Sequence, residues 1–150
     1  MTTPPDAARR AALRALEVVL VVVGAYALAM IVLGSTVNRA FDALGFGVGD
    51  YAATAAGPRA YALLLQGVIG AVIVGWVLLL LAVVRHGLGP DPDGPWWTAV
   101  VTSVAAWFVL DTGFSLAVGS WQHAAFTLAF ARAIAVPLAV LRPRRAVSAG

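Results

Sequence analysis

Four apolar runs constrain this chain more than anything else in it: Leu13–Leu33, Tyr61–Val84, Trp96–Val118 and Trp121–Leu141. Each has the length of about 20 residues that a helix needs to cross about 30 Å of hydrocarbon. No backbone polar group can be left unpaired there, so each run is expected as a helix. The expected fold is all-α, an integral membrane protein forming one four-transmembrane-helix bundle over residues 1–150. Pro58 and the Gly94-Pro95 pair suit helix starts, where a missing N–H costs nothing. Composition agrees: 61% of residues are apolar and 11% charged, against roughly a quarter charged in soluble domains. A soluble enzyme core, a disordered tail and a nucleic-acid module are disfavoured, although the formal charge is +3.

All ten basic residues are arginines, and most stand at the ends of apolar runs. With the N-terminus inside, Arg9, Arg10, Arg14, Arg85, Arg142, Arg144 and Arg145 lie on the cytoplasmic side, against Arg39 and Arg59 outside. Both termini are therefore expected to be cytoplasmic, in a multi-pass protein of the cell's inner (plasma) membrane. Trp96 and Trp97 then mark the inner interface and Trp121 the outer one. The first run continues well past the small triplet Ala25-Tyr26-Ala27, so it reads as an uncleaved span behind a frayed leader, Met1–Ala8.

There is no cysteine, which excludes disulfides, thiol redox chemistry and thiolate catalysis. The two histidines, His86 and His123, fall at opposite ends of the spans, so neither a histidine metal site nor a haem is expected. No cofactor is called for. In the outer connection, residues 35–57, Thr36–Leu44 has Phe41 and Leu44 on one side and an Arg39/Asp42 pair, the pattern of a short interfacial helix stopped by Gly45. Gly45, Gly47 and Gly49 lack the context of a dinucleotide fingerprint, and Asp91-Pro92-Asp93 reads as a turn.

Helix association in lipid relies on close backbone approach. Gly67, Ala71 and Gly75, spaced by four, form a small-residue groove on the second span, with Gln66 and Gly70 on the adjacent face. On the third span Ala105, Thr112, Ser115 and Gly119 share an arc, with Phe108 inside it and Asp111 on its edge.

Ionisable groups at membrane depth are expensive and demand explanation. Glu17 shares a helical face with Arg10 and Arg14, a local pairing. Asp111 needs a partner from the fourth span, which offers His123 and Arg132 about 180° apart on an ideal helix. Arg132 is the expected partner, because an arginine alone at mid-membrane costs more than a neutral histidine near the surface; His123 then turns to Thr127 or to the outer loop. The functional alternative is a ligand or proton site built from Asp111, Thr112, Ser115 and His123 with Gln66.

Three functions compete. The first is a non-enzymatic accessory or assembly subunit, or a binder of lipid or lipophilic solute, with a polar intramembrane site around Asp111. The second is a small proton-coupled transporter or channel acting as a homo-oligomer. Four helices with Glu17 in the first span resemble, in those two respects, the small multidrug resistance family, in which a dimer exchanges protons for cationic drugs at that carboxylate. The long outer loop, the length of 150 residues and Arg132 depart from that pattern, and a positive charge in the pathway favours an anion or neutral solute. The third is an intramembrane enzyme with Ser115 as nucleophile, for which no nucleophile elbow or histidine box is present. The partners that fit are the lipid bilayer and either another membrane protein or a second copy of the chain. Nucleic acid is not among them. Richness in alanine and valine with arginine as the only base is a style of small bacterial membrane proteins, and no family motif accompanies it.

Overall fold

The computed structural model describes residues 6–45, 53–91 and 94–143. Gly47, Gly49, Pro92, Asp93, Arg144, Arg145 and most of the leader lie outside them. Five helices make up the described chain: α1 (Asp6–Val32), α2 (Gly34–Ala43), α3 (Ala56–Val83), α4 (Trp96–Ala117) and α5 (Trp121–Val140). The end of α3 runs on as a π turn, Val84–Leu88, closed by a Gly89 N–H bond to the Val84 carbonyl of 3.0 Å. No strand occurs among the described residues. All helices except α2 are long and apolar enough to cross a membrane, so a helix stands over each of the four apolar runs.

Helix ends follow from turn chemistry. Gly119 ends α4 at φ +78°, a backbone state that only glycine adopts without strain. The Ser120 N–H then reaches the Ser115 carbonyl at 2.8 Å and the Gly119 N–H that of Leu116 at 3.1 Å, the paired bonds that satisfy orphan carbonyls at a helix terminus. This compact stop turns the chain straight into α5. Gly45, at φ +73°, ends α2 where the sequence places its stop.

The start of α1, the end of α3, the start of α4 and the end of α5 share one end of the bundle, here the terminal end. Arg9 Nη2 donates to the Leu88 and Gly89 carbonyls at 2.6 and 3.2 Å. Trp97 Nε1 donates to the Leu138 carbonyl at 2.9 Å, serving one of the last carbonyls of α5 that no helical N–H reaches. Trp97 thus ties two helices together. At the opposite, loop end, α2 lies against α1 and α3.

The hydrophobic core occupies the terminal half. Ala12, Leu16 and Leu20 of α1 meet Val77, Leu80, Val84 and Leu88 of α3, Val100 and Val104 of α4, and Ile134, Leu138 and Leu141 near the end of α5. Polar links fill in where side chains are small or aromatic: Trp76 Nε1 donates to Ser103 Oγ at 2.9 Å and stacks at a tilt on Trp107. The outward faces remain apolar, with Val21, Val72, Leu79, Leu110 and Val136 exposed, as a surface facing hydrocarbon would be.

The α1–α3 contact falls on the face adjacent to the expected one. A Cβ added to Gly70 would lie 2.8 Å from the Ala27 carbonyl oxygen, whereas nothing stands within 4 Å of one added to Gly67 or Gly75, and Ala71 is exposed. Gly70 is where α1 comes close; Gly67, Ala71 and Gly75 face outward. The correction is a rotation of about one residue, 100° around the helix. Four-residue spacing identifies a small stripe without saying which stripe meets a neighbour.

Candidate functional site

Asp111 lies in the loop half of α4, and the tight turn at Gly119 sets α5 antiparallel beside it. Asp111 and Thr127 each stand about 9 Å from the loop end of their helices at 1.5 Å per residue, so they meet at one level. Thr127 Oγ1 donates to Asp111 Oδ2 at 2.6 Å, and His123 Nε2 stands 3.3 Å from the same oxygen. His123 and Thr127 are four apart and share one face of α5. The cluster is a fork from α5 closing on one carboxylate oxygen of α4. No described residue bonds Oδ1, and the Asp111 side chain is 32% exposed.

Arg132 does not join it. As the 180° separation requires, the face that offers His123 to Asp111 turns Arg132 outward, where it is exposed with no ion-pair or hydrogen-bond partner among the described residues. The expected Asp111–Arg132 pair is therefore replaced by Asp111 with His123 and Thr127. Thr127, buried at 2% exposure, is the residue at the site that sequence reasoning gave only to His123. Its equal depth with Asp111 was the available signal.

Other expected members go elsewhere. Ser115 Oγ donates to the Asp111 backbone carbonyl on its own helix at 2.7 Å. Thr112 Oγ1 is buried with no hydrogen-bond partner among the described residues. Gln66 is buried between α2 and α3, where its Oε1 accepts from Asn38 Nδ2 at 2.8 Å; Asn38 was not foreseen. Gly34 allows this junction, since a Cβ there would come 2.9 Å from Leu63 and 3.4 Å from Gln66.

Aromatic rings frame the loop-end side of the site. Phe126 lies 6.2 Å from Tyr26, 6.4 Å from Phe41 and from the His123 ring, and 4.9 Å from Phe130 between ring centroids. Through Phe41, α2 is packed over α1 and α5 beside the site.

Glu17 is distant, towards the terminal end. Its partner is Arg85 of the π turn, Nε to Oε1 at 2.9 Å, not Arg10 or Arg14. Side chains on a helix lean towards its N-terminus, so the Arg14 head leans away from Glu17. An arginine placed before its glutamate is also the weaker order for a local pair.

Among the described residues no group of three His, Cys, Asp or Glu side chains could hold a metal ion. The arrangement offers a carboxylate with one engaged and one open oxygen, a neighbouring imidazole and a hydroxyl that donates to the engaged oxygen: equipment for holding a proton or a polar donor. No protein-family model matches the chain, and neither curated proteins nor solved structures give a match.

Proposed function

We propose that this chain is a non-enzymatic subunit of a membrane assembly, with both termini on the cytoplasmic side of the plasma membrane. The observation that carries the reading is Arg132. It lies about 17 Å from the start of α5 and about 12 Å from its end, farther from either than an arginine side chain reaches by snorkelling. A central arginine costs about 3 kcal/mol to insert even on the most lenient scales. An interhelical hydrogen bond in a membrane returns about 0.6 kcal/mol on average, and Arg132 makes none to a described residue. The carboxylates in the spans, Glu17 and Asp111, are engaged within the chain. The complementary charge then comes from another protein, a transmembrane helix carrying a carboxylate at mid-depth. Gly67, Ala71 and Gly75, open on the outside of α3, offer a second surface for close helix approach.

The test compares wild type with Arg132→Leu, purified from native membranes in mild detergent and weighed by native mass spectrometry. Loss of a stoichiometric foreign subunit, with unchanged or higher thermal stability of the isolated chain, is expected. A destabilised isolated chain would mean that Arg132 has a partner within it, and an unchanged complex would remove Arg132 from the interface; either result overturns the reading.

The open Oδ1 of Asp111 favours a second reading, a proton-coupled transporter or channel. It requires proton flux into proteoliposomes under an imposed pH gradient that Asp111→Asn abolishes. Flux no greater than in protein-free liposomes disposes of it.

A further inference from the structure

Away from the Asp111 cluster, residues of α4 and α5 line an apolar groove of about 390 Å³. Trp97 and Arg142 stand at its terminal end, and Phe108 and Ala131 at the other. Between them, the small side chains of Ala135 and Ala139 of α5 leave the space unfilled. From Trp97 to Phe108 the groove is about 17 Å long at 1.5 Å per residue, so it starts at the terminal end of α4 and stops near its middle. A docked helix would need a track that continues past Phe108. A chain anchored at the interface needs only half the depth.

The chemistry at the mouth identifies the anchor. Arg142 is exposed and has no ion-pair or hydrogen-bond partner among the described residues. A guanidinium presents a planar fork of donors matched to phosphate oxygens. The groove is also preformed: the Trp97 indole is held by its 2.9 Å bond to the Leu138 carbonyl, which fixes the wall beside Arg142 before any ligand arrives. We infer that this groove is a binding site for an anionic phospholipid, with one acyl chain lying along α4 and α5 and its phosphate on Arg142. The inference is independent of the assembly proposed through Arg132.

The test uses the full chain, exchanged into detergent with equal amounts of phosphatidylglycerol and phosphatidylcholine of identical acyl chains. Lipid retained after gel filtration is then counted by native mass spectrometry. Wild type is expected to keep phosphatidylglycerol several-fold over phosphatidylcholine. Arg142→Gln is expected to lose that preference, whereas Arg85→Gln, an exposed arginine at the same end, keeps it. Ala135→Phe, which fills the groove, is expected to retain neither lipid. Arg142 follows the last turn of α5, so its substitution leaves the bundle intact, and an unchanged melting temperature verifies this. Equal retention of the two lipids by wild type, or an undiminished preference in Arg142→Gln, overturns the proposal.

Discussion

At the scale of single residues, each polar group in the spans is decided by which way its helix is turned. Asp111 meets Thr127 at 2.6 Å and His123 at 3.3 Å, while Arg132, on the same helix as both, faces away. Energetic coupling should follow this division. In double-mutant cycles, Asp111→Asn and Thr127→Val are expected to be coupled by about 0.6–1.7 kcal/mol, the range for hydrogen bonds between membrane helices. Asp111→Asn and Arg132→Gln should add within about 0.5 kcal/mol, as sites without shared partners do. Reversible unfolding in mixed micelles measures both, and a coupled Asp111/Arg132 pair would refute the observed rotation of α5. Glycine supplies a second contrast. Gly70→Ala forces a methyl group against the Ala27 carbonyl oxygen at 2.8 Å, while Gly67→Ala and Gly75→Ala meet nothing within 4 Å. The first is expected to cost about 1–3 kcal/mol, as overpacking does, and the other two to leave the fold of the isolated chain intact.

At the scale of elements, the π turn at the end of α3 sets the packing of the terminal end. It presents Arg85 to Glu17 and lays Gly87 against Trp96, whose ring would stand 2.6 Å from an added Cβ. Gly87→Ala should therefore lower stability by about 1–3 kcal/mol. Glu17→Gln should change it by less than about 1 kcal/mol, because its partner Arg85 is 56% exposed and exposed pairs contribute little. Thermal melts of the two variants rank them, and a reversed order would mean that the ion pair, not the ring contact, holds this end. The elements themselves were legible in the sequence because spanning length and the short helix stopped by Gly45 are local properties. Their rotations were not. These helices are apolar nearly all round, so no strong hydrophobic face tells which side meets a neighbour. That is why the sequence points to the Gly67 stripe rather than to Gly70, and to Arg132 rather than to His123 and Thr127 as the partner of Asp111. A π turn has no distinctive composition at all, so the reach of Arg85 to Glu17 could be seen only in three dimensions.

At the scale of the molecule, the bundle divides into an apolar terminal half and a polar loop half that holds Asp111, His123 and the aromatic cluster. This division gives orientation its functional weight. With the termini cytoplasmic, the Asp111 cluster lies in the outer half of the bundle and Arg142 stands among inner-leaflet headgroups; inverted, the two exchange sides. Among the described residues, five arginines at the terminal end (Arg9, Arg10, Arg14, Arg85 and Arg142) against two at the loop end (Arg39 and Arg59) favour the first arrangement. The absence of native cysteine makes a direct reading feasible. Ala40→Cys, exposed on α2, and Ala7→Cys, exposed at the start of α1, place single thiols at opposite ends of the bundle. A membrane-impermeant maleimide applied to intact cells is expected to label Ala40→Cys at once and Ala7→Cys only after permeabilisation. The reverse pattern would invert the protein and move the proposed lipid site to the outer leaflet. Labelling of both thiols in intact cells would contradict the antiparallel four-span bundle itself, since α1 must separate them by the full thickness of the membrane.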